Sequence, residues 1–379
     1  MVRHRLMTPG PTPIPEAARL EMAKTLEHHR TPGFRRLLAE VLEGLKYVFD
    51  TTSDIAVLSS SGTGAMETCV ASVVPRGGKA IVLDSGKFAE RWADICEAYG
   101  IKVVRYEEPW GKSFEADEVA RLLAEHADAA AVYATLSETS TGVGHDIEGI
   151  GRAVAASGAL FAVDGISGVG AMECHMDDWG IDLLAVGSQK ALMSPPGLAF
   201  VAVSEAAWQR IESIERQAFY FDLAAYRKAL AGPDTPWTPS RPLLSALAAS
   251  LRQIREESIE NVWRRTATLA RATRAGVAAL GMELVAERPS EALTAAFLPD
   301  GVDAKAFLAR LEGRFGVKLA GGQGPFSGKI IRIAHMGQID ELDILSTLSA
   351  IELVLAEMGQ SVKLGSGVAA AGSVLLEEE

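Results

Sequence analysis

Cysteine is scarce in this chain of 379 residues, which holds only Cys69, Cys96 and Cys174. The three form neither a CxxC pair nor a Cys/His set with metal-ligand spacing, and an odd number cannot pair completely. A disulfide framework is therefore disfavoured. We expect a protein of the reducing cytoplasm, with these thiols serving as packing groups and with no bound metal.

Long hydrophobic runs and basic clusters are also missing. No stretch approaches about 18 uncharged apolar residues, and the opening MVRHRLMTPG has no apolar signal region. The sequence therefore predicts neither a membrane span nor an export signal. With 37 Lys and Arg against 49 Asp and Glu, the net charge is −12, which argues against nucleic acid or anionic lipid as the main partner. Small molecules are the expected ligands.

Hydrophobic residues make up 48% of the chain, and its length favours one large and one smaller domain. Over most of the first half, short apolar runs alternate with amphipathic segments, which is typical of a mostly parallel sheet with helices on both faces. The predicted strands are 54–58, 79–84, 101–106, 129–135, 159–164, 182–187 and 198–203. The predicted helices between them are 64–74, 88–99, 116–126 and 147–156.

The later part of the chain changes its pattern. The run GPDTPWTPSRP at 232–242 breaks the periodicity, and one long helical pattern follows over 243–280. Alternating predicted strands and helices typical of a small α+β domain come next, at 293–297, 303–314, 330–334 and 341–358. We place an N-terminal arm at 1–15, a large domain at 16–260 and a small C-terminal domain, completed by part of the arm, at 261–379.

Two polar residues end apolar runs where ligands of α/β sheets collect, beyond the carboxyl ends of the strands. Asp164 ends ALFAVD, and Lys190 follows DLLAVG and precedes the uncharged ALMSPPGLAF. A lysine in such an apolar setting has a lowered pKa and becomes a nucleophile toward a carbonyl carbon, as a Schiff base requires. A nearby aspartate can keep the ring nitrogen of an electron-sink cofactor protonated. A surface lysine and a turn aspartate are the plain alternatives.

A phosphate anchor is available in SSSGTGAME at 59–67, directly after the strand DIAVL. Ser61, Gly62 and Thr63 let backbone N–H groups approach an anion, and the helix that begins there directs its positive end toward it. The loop lacks the P-loop pattern, and Glu67 stands where a dinucleotide-binding loop requires its third glycine. An ordinary turn between strand and helix is the alternative.

Five segments, SGTGAME, LSETSTGV, VDGISGVG, GSQKALMSPPG and KIIRIAHMG, together resemble the alanine–glyoxylate, serine–glyoxylate and serine–pyruvate branch of the class V aminotransferases. The resemblance covers almost the whole chain, and GSQKALMSPPG is its most specific part. It implies pyridoxal 5′-phosphate (PLP) as cofactor and the aspartate-aminotransferase-like α/β fold (fold type I), with a large, mostly parallel-sheet domain and a smaller C-terminal α+β domain. It also implies a homodimer with the active site at the subunit boundary.

The resemblance assigns the residues of the cofactor site. Lys190 matches the catalytic lysine that holds PLP as a Schiff base, and Asp164 matches the partner of the pyridine nitrogen. Phe88 lies where an aromatic ring covers the cofactor face, and Thr139 matches a side chain near the phenolic oxygen. A core phenylalanine and a plain turn residue are the alternatives for these two. The residues that match phosphate contacts are Ser61, Gly62, Thr63 and Gln189.

Substrate and subunit contacts follow from the same resemblance. Arg332 in IIRIAHMG matches the arginine that binds the substrate α-carboxylate, and an internal salt bridge is the alternative. Gly10 in the N-terminal arm matches a substrate contact. Thr238 in DTPWTPS resembles the residue that reaches the other subunit's cofactor phosphate, although Trp237 is the candidate if the alignment shifts by one. The dipeptide at 29–30, His-Arg, resembles a family feature for which structural capping is the plain alternative.

The leading hypothesis is transfer of an amino group from alanine or serine to glyoxylate or pyruvate, with Lys190 moving the proton. Transamination of 2-aminoethylphosphonate is the nearest alternative, although the sequence shows no additional basic groups for a phosphonate. Cysteine desulfuration needs a thiolate late in the chain, and no cysteine follows Cys174. Related chains have also been labelled as a small subunit of a soluble hydrogenase, but no iron–sulfur or nickel ligand pattern is present.

Overall fold

The computed structural model describes residues 4–377. Its strands are β1 (Arg5–Leu6), β2 (Asp54–Leu58), β3 (Lys79–Asp84), β4 (Lys102–Glu107), β5 (Ala131–Thr135), β6 (Ser137–Glu138), β7 (Val143–Gly144), β8 (Leu160–Asp164), β9 (Leu183–Gly187), β10 (Ala199–Val203), β11 (Leu293–Phe297), β12 (Val317–Lys318), β13 (Ala320–Gly321) and β14 (Ile330–Ala334). Its helices are α1 (Glu16–Met22), α2 (Pro32–Phe49), α3 (Gly62–Val73), α4 (Ala89–Ala98), α5 (Ala116–Glu125), α6 (Ile147–Ala155), α7 (Glu205–Ser213), α8 (Leu223–Leu230), α9 (Arg241–Glu257), α10 (Ile259–Ala279), α11 (Ala304–Phe315), α12 (Glu341–Glu357) and α13 (Ser366–Leu376). None of these helices is long and apolar enough to cross a membrane.

Seven strands form the central sheet, in the order β2-β10-β9-β8-β5-β3-β4. The five strands from β9 to β4 run parallel, whereas β10 is antiparallel to both of its neighbours. Every residue of β5, β8, β9 and β10 is buried, which explains why these strands are almost continuously hydrophobic in sequence. The prediction of a mostly parallel α/β sheet is confirmed.

Apolar side chains pack on both faces of this sheet. In β8, Phe161 and Val163 belong to the cluster that includes α2, whereas Ala162 belongs to the cluster that includes α3 and α4. This alternation follows from the two-residue period of a strand, and here both faces are apolar because both are covered by helices. The chain can therefore hold residues at the end of β8 in a fixed position.

The carboxyl ends of the parallel strands meet at one edge of the sheet. Thr135 at the end of β5 lies opposite Asp164 at the end of β8. Asp164 pairs in turn with Ala185 of β9, two residues before that strand ends at Gly187. The residues that follow these ends, including Lys190, are thereby brought to the same edge, where ligands of open α/β sheets bind.

A separate apolar core belongs to the C-terminal part of the chain. It includes residues of α10, α11 and α12 and of the antiparallel sheet β11-β14-β13. The N-terminal arm joins this part, because β1 pairs in parallel with β12 and Met7 is buried in the same core. The division of the chain at residues 15 and 260 stays a prediction, and its outermost residues, 1–3 and 378–379, lie outside the described range.

The helical pattern over 243–280 is not one helix but two, α9 and α10, separated by Ser258. Ser258 has a φ of +68°, which interrupts a right-handed helix. Its hydroxyl then accepts a hydrogen bond from Asn261 N at 3.3 Å and forms the N-cap of α10. The predicted strands match the structure to within two residues, whereas the sequence pattern does not predict α1, α2, α7, α8 and α13.

Candidate active site

Lys190 lies in the turn that follows β9, and only 9% of its surface is exposed. The turn is fixed by Ser188, whose hydroxyl donates to Pro195 O at 2.6 Å. The Nζ atom of Lys190 donates to the carbonyl oxygen of Pro9 in the N-terminal arm. Burial lowers the pKa of Lys190 to about 8, although the nearby Asp164 carboxylate acts in the opposite direction. A neutral, nucleophilic amine is therefore readily formed near neutral pH.

The N-terminal arm crosses Lys190 at Gly10. A Cβ atom on Gly10 would lie 2.5 Å from Cδ and Cε of Lys190, and Gly10 has a φ of +109°. Only glycine meets both requirements without displacing the arm or the lysine. Thr12 fastens the arm to the same turn, since its Oγ1 donates to Lys190 O at 2.7 Å and its N–H donates to Gln189 O at 3.1 Å. The arm thus forms one wall around the lysine.

Asp164 ends β8 with a side chain that is almost completely buried. Its Oδ1 accepts a hydrogen bond from Ile166 N at 2.8 Å, and within residues 4–377 no ion pair neutralises the carboxylate. The pKa of Asp164 is raised to about 7, chiefly by burial; the hydrogen bond from Ile166 N and the charge of Lys190 act to lower it, and the charge of Glu138 acts to raise it. A buried carboxylate with an open oxygen is suited to a cationic N–H group, such as the protonated ring nitrogen of PLP.

The loop from Ser61 to Thr63 forms the first turn of α3. Ser61 is the N-cap residue, and its side chain makes no capping hydrogen bond, so this helix end keeps N–H donors for an anion. A Cβ atom on Gly62 would lie 2.5 Å from Cδ1 of Ile166, which explains the glycine. Arg91 donates from Nη1 to Thr63 Oγ1 at 3.1 Å and adds a positive charge beside the loop.

PLP fits the groups at this sheet edge. The Oε1 atom of Gln189 is buried and has no hydrogen-bond partner within the described chain, and such a group is costly unless a ligand satisfies it. Gln189 adjoins Lys190, and the helix end at Ser61 lies against the loop that follows Asp164. An amine of lowered pKa, a buried acid and an anion site are the contacts that this cofactor requires.

Phe88 and Thr139, the expected contacts of the cofactor ring, lie in two segments that meet. Phe88 is half-buried before the first turn of α4, and the Arg91 guanidinium lies 5.1 Å from its ring centroid. Thr139 is buried in the turn between β6 and β7, with its Oγ1 at 2.6 Å from Ser167 Oγ. The carboxylate of Glu138 connects the segments, because it accepts a hydrogen bond from Phe88 N at 3.1 Å.

Arg332 projects from the middle of β14 and is 7% exposed. Its Nε donates to Gly321 O and its Nη1 to Thr139 O, both at 2.9 Å. No carboxylate within residues 4–377 forms an ion pair with Arg332. The described residues therefore give no support to the alternative interpretation, an internal salt bridge. Burial lowers the pKa of Arg332. The N–H groups that remain on a buried, unpaired guanidinium favour an anionic ligand.

Comparison of the chain with known protein families shows which family it belongs to. Residues 20–333 match the family model described as Aminotransferase class-V. The chain belongs to the class-V aminotransferase family. The matched range includes Asp164, Lys190 and Arg332, and the N-terminal arm with Gly10 precedes it.

Several curated proteins resemble this class-V aminotransferase over almost their whole length. A "Soluble hydrogenase, small subunit" of a Synechococcus strain is 41% identical, covering 98% of each chain. The L-aspartate–glyoxylate aminotransferase of Paracoccus denitrificans is 37% identical, covering 97% of this chain and 94% of the relative. The serine–glyoxylate aminotransferase of Methylorubrum extorquens is 36% identical, covering 99% and 96%.

Solved structures of aminotransferases share the fold of this class-V aminotransferase. The pyridoxamine–pyruvate aminotransferase of Mesorhizobium loti superimposes with a TM-score of 0.95 at 26% identity, covering 100% of this chain and 98% of that one. The ureidoglycine–glyoxylate aminotransferase of Bacillus subtilis gives a TM-score of 0.94 at 27% identity, covering 99% of each chain. The expected fold type I architecture is confirmed.

The segment around Thr238 lies at the surface of this class-V aminotransferase and makes contacts within its own chain. Thr238 is exposed, whereas Trp237 is used within its own chain, since its Nε1 donates to Tyr220 O at 2.9 Å. In the dipeptide at 29–30, Arg30 donates to Asp234 Oδ1 at 2.5 Å and to Thr235 O at 3.0 Å. Arg30 therefore fixes the turn that precedes Thr238, which gives Arg30 a structural role.

Three residues of the site are not identified by the sequence reasoning: Glu138, Arg91 and Ser167. Glu138 carries a usable signal, because it is the only charged residue between a buried strand and the glycine turn that follows. The other two are recognised only through contacts with residues distant in sequence, at Thr63 and Thr139. Within residues 4–377 no group of three or more His, Cys, Asp or Glu side chains is arranged to hold a metal ion.

Proposed function

We propose that this class-V aminotransferase is a PLP enzyme that moves an amino group from a small amino acid, alanine or serine, to glyoxylate or pyruvate. The observation that carries the proposal is the buried Lys190, of lowered pKa, at the same sheet edge as the buried acid Asp164. The aminotransferase relatives that bear the names of glyoxylate-using enzymes support the choice of acceptor.

PLP, when bound, supplies an electron sink for the negative charge that develops at the substrate Cα. Asp164 would keep the ring nitrogen protonated, and the open oxygen of its buried carboxylate supports this role. The free donors of α3 at Ser61, Gly62 and Thr63 would hold the phosphate, and the side-chain amide N–H of Gln189 would donate to it as well. Each of these groups is positioned by backbone elements, so the site is organised before a ligand arrives.

Lys190 would act as the covalent anchor and then as general base and acid. With a pKa of about 8, its Nζ can give up and regain a proton close to neutral pH, which is the condition for moving a proton at Cα in both directions. The carbonyl of Pro9 and the wall formed by Gly10 restrict the positions open to this amine. The restriction shortens the search for a productive orientation.

Arg332 would bind the α-carboxylate that amino acids and 2-oxo acids share. Its Nε and Nη1 are directed by two carbonyl oxygens, which orients the plane of the guanidinium toward the site. A planar guanidinium with free N–H groups binds a carboxylate through two parallel hydrogen bonds. Gly10 would contact the substrate from the opposite wall, and Phe88 and Thr139 would contact the cofactor ring.

The remaining parts of the proposal concern assembly and location. We propose a cytoplasmic homodimer with arm 1–15, large domain 16–260 and small domain 261–379, without a nucleic-acid or membrane partner. The exposed Thr238 would reach the cofactor phosphate of the other subunit, since Trp237 is engaged in its own chain. Cysteine desulfuration is disfavoured further, because Cys174 is buried and burial raises the pKa of its thiol to about 12.

A half-reaction screen tests this proposal. Protein loaded with PLP is mixed with alanine, serine, aspartate or 2-aminoethylphosphonate, and the visible absorbance of the lysine-bound cofactor is followed. We expect alanine or serine to bleach it and glyoxylate or pyruvate to restore it. Reaction only with aspartate or the phosphonate would refute the choice of donor. A protein that cannot be loaded with PLP would refute the enzyme proposal and favour a non-catalytic subunit.

A further inference from the structure

Glu138 is a fully buried carboxylate within the proposed cofactor site, with 0% of its surface exposed. Its Oε1 accepts hydrogen bonds from the backbone N–H of Ser140 at 2.9 Å and from the Ser140 hydroxyl at 2.6 Å. Its Oε2 accepts from Phe88 N at 3.1 Å and from Ala89 N at 2.9 Å. Four donors thus surround one carboxylate, and none of them is a cation.

The donors come from two segments that are about fifty residues apart in the chain, and the bonds continue beyond the carboxylate. The Ser140 hydroxyl that donates to Glu138 also accepts from Lys87 N at 3.1 Å. The space for the side chain is provided by Gly86, where a Cβ atom would lie 2.6 Å from Glu138 Cγ. The carboxylate and its socket therefore join the start of α4 to the turn between β6 and β7.

Each joined segment carries a residue that the proposed function places against the cofactor ring. Phe88 itself donates its N–H to Glu138, and Thr139 lies between Glu138 and its partner Ser140. The carbonyl oxygen of Thr139 accepts from Arg332, so a displaced turn also displaces the guanidinium. Buried hydrogen bonds to a charged acceptor are among the stronger ones and hold such segments rigidly.

We propose that Glu138 is a positioning residue, which fixes the distance between the Phe88 ring and the Thr139 turn and so sets the pose of the cofactor ring between them. The inference rests on the proposed function, because it assumes that PLP binds at Lys190. Glu138 would act through Phe88 and Thr139 and not by touching the substrate. A mere contribution to stability would leave the cofactor pose unchanged.

The variant Glu138→Gln tests this role with little change in volume. An amide has one accepting oxygen and one donating nitrogen, so it cannot accept from both the Ser140 side and the Phe88 side. Glu352→Gln is a matched control, because Glu352 is also buried and accepts from Gly365 N, Gly367 N and Val368 N at the start of α13. It lies in the C-terminal part, away from Lys190.

We expect Glu138→Gln to raise the dissociation constant of PLP about tenfold, equal to about 1.4 kcal/mol, and to change the visible circular dichroism per bound PLP. Glu352→Gln should lower the melting temperature and leave both cofactor readouts as in the wild type. Equal cofactor readouts in wild type and Glu138→Gln would overturn the proposal. So would equal cofactor losses in the two variants.

A double-mutant cycle with Phe88→Leu separates action through Phe88 from an independent effect. If Glu138 acts through this ring, the fold-increase in the PLP dissociation constant of the double variant is clearly smaller than the product of the fold-increases of the two single variants. A loss equal to that product would contradict the proposal. Ser140→Ala removes a single donor to the carboxylate and provides a milder variant, with the same changes expected at smaller size, should Glu138→Gln not fold.

Amide hydrogen exchange of the cofactor-free protein gives a readout that does not depend on PLP. Glu138→Gln should increase exchange at 86–90 and at 137–141 together, because the carboxylate joins these two segments. Unchanged exchange in either segment would overturn the positioning role. A wild-type protein that fails to bind PLP, in contrast, would refute the proposed function, and the exchange result would still decide whether Glu138 joins the segments.

Discussion

The substitution Asp164→Asn is expected to stabilise the cofactor-free protein while it weakens cofactor binding. Burial raises the pKa of Asp164 from 3.8 to about 7. Between these two values the unfolded chain has released its proton while the folded protein still binds it, so stability falls as the pH rises. Asparagine carries no charge and can still accept the hydrogen bond from Ile166 N, which removes this cost.

The size of the effect follows from the pKa difference. About three pKa units at about 1.36 kcal/mol each give about 4 kcal/mol at pH 8, and about 1.6 kcal/mol at pH 5. With an unfolding entropy of about 2.1 cal/mol/K per residue and 379 residues, about 0.8 kcal/mol corresponds to one degree. Asp164→Asn should therefore raise the melting temperature by about 5 °C at pH 8 and about 2 °C at pH 5.

Thermal melts of the cofactor-free protein at the two pH values, together with PLP titrations, test both directions. PLP affinity should fall at least tenfold and turnover by orders of magnitude, since the amide cannot hold a protonated ring nitrogen as a charge-assisted partner. Asp182→Asn is the control, because this half-buried acid at the opposite end of the sheet accepts from Phe161 N and Ser204 Oγ. It should leave PLP affinity unchanged. An unchanged or lowered melting temperature of Asp164→Asn at pH 8 would refute the reasoning.

Two further substitutions test the walls of the site. Arg332→Lys keeps the charge but loses the planar two-point contact with a carboxylate. At about 1.5–3 kcal/mol per charged hydrogen bond, this loss should raise KM for both amino acid and 2-oxo acid about 10- to 100-fold. An increase for only one of the two substrates would contradict a shared carboxylate site. Gly10→Ala should greatly reduce PLP loading, because the added Cβ would lie 2.5 Å from the Lys190 side chain. Gly281 has a φ of +75° and open space around it, so Gly281→Ala should lower stability alone. Equal PLP loading of the two variants would show that the arm does not border the cofactor.

The sheet and its polar strand ends are predictable because their signals are local. The apolar runs that become β5, β8 and β9 are almost continuous, as expected for strands that are buried on both faces. Asp164 and Lys190 lie at such ends, so position alone makes them candidates before any resemblance is considered. In the structure the pKa of Asp164 is raised and that of Lys190 is lowered, in agreement with the desolvation expected at these positions.

What the sequence does not predict depends on contacts between distant segments. Glu138 joins residues that are about fifty positions away, and Arg91 is connected to Thr63 by a single hydrogen bond. The break at Ser258 is missed because apolar residues recur at helical spacing on both sides of it, and only its left-handed φ ends the helix. The structural role of Arg30 likewise becomes visible only when the turn at Asp234 is placed against it.

The central claim, that Lys190 is the covalent anchor of PLP and its proton shuttle, is tested most directly by Lys190→Ala. Borohydride reduction of PLP-loaded protein, followed by peptide mass mapping and an amino-acid half-reaction assay, measures both roles. We predict that wild type and the control Lys79→Ala, whose lysine pairs with Asp128 away from this site, carry reduced PLP on Lys190 and react. Lys190→Ala should keep its fold, carry no fixed PLP and lose nearly all turnover. Fixation of PLP at another lysine, or near wild-type rates in Lys190→Ala, would contradict the account.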